Sequence, residues 1–138
     1  MILLDTNVIS ELMKKPADPQ VARWFMQHEA DTLLCTPAIA EIALGIARLP
    51  VGKRRSGLES DLSELRIRYA ERTLSFSTAS AMIYGDIMYD ALKSKHNMDV
   101  VDGQIAAIAF EHGMKLATRN GKDFQSAGLV IINPWSAI

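Results

Sequence analysis

The stretch ILLDTNVISEL, residues 2–12, decides how this chain is read. Ile2 to Leu4 is a short apolar run of the kind that forms a strand buried in a sheet. It ends in a carboxylate, Asp5, followed by two small polar residues, Thr6 and Asn7. A charge at the rim of a core is costly unless it is paired or holds a metal. The plainer alternative is that Asp5 caps a helix starting at Thr6.

Outward from this stretch, 138 residues with 49% hydrophobic and 22% charged side chains fit one compact globular domain, residues 1–138, with a sizeable core. The longest apolar stretches are broken by Glu41, Asp86 and Glu111 before they reach bilayer length, and no basic segment precedes the N-terminal apolar run. A cytoplasmic protein without membrane contact is expected. One cysteine, Cys35, excludes an intramolecular disulfide and a Cys-rich zinc site, and it reads as a small buried thiol. Fifteen basic against sixteen acidic residues give no global signature of nucleic-acid binding. The local clusters Lys53-Arg54-Arg55 and Arg66, Arg68 and Arg72 read first as solvated faces.

Val21, Trp24, Phe25 and His28 recur at helical spacing over 19–27, and residues 32–35 read as a second strand. Thr36-Pro37 predicts a cap and first helical residue for a helix to about Leu49, and LPVGKRRSG, residues 49–57, predicts an exposed loop. Leu58, Leu62, Leu65 and Tyr69 stripe the next helix. TLSF at 73–76 predicts a third strand, with Thr78 capping a helix that carries Ile83, Tyr84, Ile87 and Met88. Asp99 can cap a helix with Ile105, Ala106, Ile108 and Ala109 on its apolar face, ending near Gly113. Residues 115–119 and 129–133 complete about five short strands. Short strands alternating with long helices predict an α/β sandwich around a mainly parallel sheet, because parallel neighbours need crossover helices. Ligands of such sheets sit beyond the carboxyl ends of the strands, where strand order reverses.

Four carboxylates can converge there: Asp5 after strand one, Glu41 about a turn beyond strand two, Asp102 in the first turn of an apolar helix, and Asp123 after strand four. Carboxylates sharing one cleft repel strongly, and a divalent cation relieves that repulsion. Oxygen ligands without cysteine or a His pair favour magnesium or manganese over zinc. Two such ions suit in-line hydrolysis of a phosphodiester by an activated water. Each acid also has a local alternative. Asp102 can be a first-turn helix acid, Asp123 a turn residue, and Glu41 a partner of Arg48, although seven residues exceed the usual helical pairing distance.

Together, ILLDTNVISEL, AEIALGI, DVVDGQIAAIA, LATRNGKDF and the closing INPW resemble the PIN-domain family, most closely its VapC- and FitB-like toxin ribonucleases, in order over nearly the whole chain. The resemblance implies a PIN-like α/β/α fold and an endoribonuclease dependent on magnesium or manganese, acting as the toxin of a toxin–antitoxin pair. Asp5, Glu41 and Asp102 would then be the principal metal ligands. In many relatives an acid directly follows Thr-Arg; Asn120 stands there instead, a neutral oxygen, so Asp123 is the candidate fourth acid. Asn7, Thr118 and Asn120 are expected to hold ligands by hydrogen bonds. Arg54, Arg66 and Arg119 are expected contacts for RNA phosphates. The resemblance also implies a homodimer and a cognate DNA-binding antitoxin that covers the acidic cleft, with DNA reached only through that partner.

Two rivals remain: a PIN-like module binding RNA or protein without cutting, and an aspartate-based phosphatase. The latter wants a second acid two residues after the first, where Asn7 stands. A phosphoacceptor receiver domain fits poorly too, because it wants an aspartate at the end of strand three, where the chain reads SFSTA.

Overall fold

The computed structural model describes residues 1–136. Ile2–Leu4 forms β1, buried throughout. Thr6–Leu12 forms α1 with Asp5 at its N-cap. Pro19–His28 is α2, opened by the Asp18 carboxylate, which accepts from the backbone N–H groups of Gln20 and Val21. Then follow β2 (Thr32–Cys35), α3 (Thr36–Ala47), α4 (Lys53–Arg68), β3 (Thr73–Leu74), α5 (Thr78–Lys93), α6 (Val100–Glu111), β4 (Lys115–Ala117) and β5 (Ile131–Ile132). A 3-10 segment, Gly121–Ala127, joins β4 to β5.

Every strand pair is parallel, in the order β3-β2-β1-β4-β5, with helices flanking the sheet in the α/β/α arrangement. The chain moves outward from central β1 to β3, then returns to lay β4 on the other side of β1. Strand order therefore reverses between β1 and β4, which is where such sheets open a crevice. Their register pairs Leu4 with Ala117, so Asp5 and Thr118 leave the sheet side by side.

Leu3, Leu34, Ile105, Ile108 and Leu116 are fully buried, each contributing about 2 kcal/mol of hydrophobic stabilisation. Helix α6 runs through this core, with every residue from Ile105 to Ala109 buried. Gly103 lets α5 approach it closely: a Cβ there would lie 2.5 Å from Met88 Sδ and 2.9 Å from Tyr84 Cε2. Cys35 is buried as expected, and burial above all pushes its thiol up to about 12. Among the described residues no helix is long and apolar enough to cross a membrane.

Several local expectations need correction. The predicted loop ends at Gly52, and Lys53 already opens α4. The half-buried Leu58, Leu62 and Leu65, packed on the core, carry the helix back through the basic run, helped by an Arg55–Glu59 ion pair of 3.8 Å. Thr36 does not cap α3. Cys35 holds the cap position without a side-chain bond, and the Thr36 hydroxyl accepts from the Phe76 N–H at 3.2 Å. The cap of α5 is Ser77, not Thr78: its side chain accepts from the Ser80 N–H while the Ser80 hydroxyl accepts from the Ser77 N–H. The strands expected at 73–76 and 129–133 pair over two residues each.

Candidate functional site

Asp5 stays tied to the sheet, its N–H donating to the Ala117 carbonyl at 2.9 Å. The residue is only 3% exposed. Oδ1 accepts from the Thr6 N–H at 2.8 Å, and Oδ2 accepts from the Thr118 hydroxyl at 2.6 Å and from Asn7 Nδ2 at 3.2 Å. The Thr118 hydroxyl in turn accepts from Asn7 Nδ2 at 3.3 Å and from the Asn120 N–H at 3.1 Å, while Asn7 Oδ1 accepts from the Arg119 N–H at 3.2 Å. This network locks the ends of β1 and β4 together. Asp5 does cap α1, but a capping role alone requires neither this burial nor a partner 113 residues away.

A carboxylate offers about four lone-pair positions. The three hydrogen bonds fill both positions on Oδ2 and one on Oδ1, leaving one free. In the next residue along the chain, Thr6 Oγ1 is buried with no hydrogen-bond partner among the described residues. Burial pushes the Asp5 carboxyl up; the Thr118 and Thr6 hydrogen bonds oppose this, and Glu41 and Asp99 add to it.

Helix α6 precedes β4 and leads back to the amino end of that strand, so its own N-terminus lies at the carboxyl edge. Asp102 stands in its first turn, with Asp99 as the cap and the Asp102 N–H donating to Asp99 Oδ1 at 2.8 Å. Burial, followed by the charges of Asp99, Asp5, Asp123 and Glu41, pushes Asp102 up to about 7. Glu41 is exposed on α3, and Asp123 is half-buried in the 3-10 segment, its N–H donating to the Asn120 carbonyl. Five carboxylates thus act on one another at this edge. Among the described residues none of the five has an ion-pair partner, including Glu41 towards Arg48.

Oxygen donors with no cationic partner fit a hard divalent ion, and the orphan Thr6 hydroxyl supplies a further oxygen next to Asp5. As the side chains stand, however, no three His, Cys, Asp or Glu among the described residues are placed to hold one metal. Asp5 is turned towards Thr6, Asn7 and Thr118. Asn120 is exposed at the start of the 3-10 segment and makes no side-chain capping bond.

The basic residues separate. Arg54 lines a groove of about 830 Å³ between α1, α3 and α4, whose wall also includes Thr6 and Glu41. Arg66 is exposed on α4 and does not line it. The Arg119 guanidinium lies 4.9 Å over the Trp135 ring. A smaller cavity of about 300 Å³, walled by Leu4, Phe25 and Tyr69 among others, contains none of the five acids. Two members of the site were not read from the sequence, Asp99 and Thr6. The available signal for Asp99 was its spacing of three residues from Asp102, which puts both on one helix face.

The PIN domain family model matches residues 2–129. The chain is 42% identical to the VapC ribonuclease Y4jK of Sinorhizobium fredii, covering 98% of each chain. It is 36% identical to Toxin FitB of Neisseria gonorrhoeae, covering 98% of this chain and 99% of that one. A solved structure of FitAB bound to an IR36 DNA fragment superposes with a TM-score of 0.91 at 35% identity, covering 100% of this chain and 98% of that one. The sequence, the reversal of strand order between β1 and β4 and these relatives agree: the chain belongs to the PIN domain family, on its VapC- and FitB-like branch.

Proposed function

We propose that this protein is a ribonuclease toxin, hydrolysing RNA phosphodiesters with magnesium or manganese held by Asp5, Glu41, Asp102 and Asp123. The observation that carries this reading is that Asp5, Asp99, Asp123 and Glu41 all act on Asp102 at the edge where strand order reverses, with no cationic partner for any of them among the described residues. Asp99 joins them as a further negative charge. The bound ion supplies charge neutralisation and an activated water for in-line attack. The residues of the chain do the rest. The Thr118 hydroxyl and Asn7 amide fix the orientation of the Asp5 carboxylate, and the Asn120 N–H fixes that hydroxyl. Arg54, in the groove that includes Glu41, is the best-placed of the three arginines to meet substrate phosphate.

The relatives support an antitoxin as partner, with DNA reached through it, and a basic side chain from that partner can neutralise the acidic cleft in place of the ion. Met82, Tyr89 and Leu92 form an exposed apolar stripe on α5, where a second copy can pack to form a homodimer. The expected place of action is the cytoplasm.

Incubation of antitoxin-free protein with tRNA and mRNA in magnesium, set beside Asp5→Asn, tests this. Cleavage by the parent that is lost in the variant is expected. RNA bound but left intact with every divalent ion tried overturns it in favour of the binding module. A phosphatase has little support: position 7 is an asparagine whose amide is committed to Asp5 and Thr118.

A further inference from the structure

The groove between α1, α3 and α4 shares Thr6 and Glu41 with the acidic edge, and its rim carries Lys14, Lys15, Lys53 and Arg54. Glu11 neutralises Lys14 at 3.1 Å, and Asp61 neutralises Lys15 at 3.3 Å. Lys53 and Arg54 have no carboxylate partner among the described residues. They sit in the first turn of α4, which contains no acid, although the helix dipole disfavours cations there. Their neighbour Arg55 differs, donating to the Leu49 carbonyl at 3.4 Å and pairing with Glu59. Among the described residues no ion pair offsets the two remaining charges, which suits groups placed for an external ligand.

Gly45 on α3 and Gly57 on α4 line the same groove, and a Cβ at either position would meet nothing within 4 Å. Glycine inside a helix is unfavourable relative to alanine, and no contact in the fold requires it at these two positions. Both keep the groove wide.

We propose that Lys53 and Arg54 are positioning residues, holding phosphates of an RNA strand that lies in this groove and leads to Glu41. The proposal rests on the ribonuclease reading above. Two observations favour RNA as the occupant: the positive rim without a carboxylate partner among the described residues, and the presence in the same lining of Glu41, one of the acids proposed to hold the ion. The aliphatic floor of Ile42, Ile46, Leu49 and Leu58 can take the sugar edges of the strand.

Fluorescence anisotropy with a labelled single-stranded RNA, over a range of salt and on protein silenced by Asp102→Asn, tests the binding. Adding Lys53→Ala and Arg54→Ala should weaken it roughly ten-fold and flatten the slope of log K against log salt by about 1.4, the value for two phosphate contacts on a single strand. Lys53→Arg with Arg54→Lys should restore both. In otherwise unaltered protein the alanine pair should raise KM and leave kcat in place. The melting temperature should hold or rise, because cations leave a helix N-terminus, so a folding defect cannot mimic the result. Gly57→Leu, which fills open space, should also weaken binding without lowering the melting temperature. Lys115→Ala, at the amino end of β4, should change neither affinity nor slope.

An unchanged salt slope with an unchanged KM in the alanine pair overturns the proposal, and loss of a protein partner in that same variant assigns the groove to a polypeptide. A parent that binds with the steep slope but cuts nothing overturns the ribonuclease reading and leaves the RNA track standing. A parent that neither binds nor cuts overturns both.

Discussion

Replacing Asp102 with asparagine should stabilise the metal-free protein, and should do so only above acidic pH. Burial and four neighbouring carboxylates push Asp102 from 3.8 up to about 7. The folded state therefore binds this proton more tightly than the unfolded chain does. Stability falls as pH rises between the two values, and the full penalty is present above about 7. At about 1.4 kcal/mol per pH unit, ionising Asp102 in the fold costs up to about 4 kcal/mol; solvent screening of this half-buried group reduces that to about 2 kcal/mol. Asparagine keeps the shape and removes the charge. Urea unfolding of parent and Asp102→Asn in chelator should give overlapping curves near pH 4 and a variant more stable by about 2 kcal/mol at pH 8. Magnesium or manganese should then stabilise the parent more than the variant. A gap that is the same at both pH values, or a variant less stable at pH 8, would refute the claim that burial, with the charge of the neighbouring acids, makes an ionised Asp102 unfavourable at this edge of the sheet.

Thr118→Val keeps shape but removes the hydroxyl that donates to Asp5 and accepts from Asn7 and Asn120, at an expected cost of about 2–3 kcal/mol in urea unfolding, while Thr118→Ser should retain most of the stability. Gly103→Ala places a Cβ against Met88 and Tyr84 and should lower the melting temperature through a loss of about 1–3 kcal/mol; adding Met88→Ala, which clears the nearest contact, should return part of it.

Much of the fold was legible because its determinants are local. The apolar run Ile2–Leu4 reads as a strand wherever it sits, Asp99 caps the helix that follows it, and α6 carries its apolar side chains at the expected positions. Where competing local signals were close in strength, packing decided. LPVGKRRSG looks like a loop by composition, but Leu58 to Leu65 draw its second half into α4. Ser77 outcompeted Thr78 because Ser80 lies at the right distance to return the bond.

The acids themselves were also visible, since a carboxylate inside an apolar stretch stands out in any sequence. Their relation was not. Only the strand order, with β4 laid against β1, brings the Thr118 hydroxyl to Asp5 across 113 positions, buries that carboxylate and sets Asp5 and Asp123 against Asp102. Propensity, capping and periodicity act within a few residues and are written in the chain. Desolvation and charge repulsion depend on which distant segments meet, and that is decided when the sheet assembles.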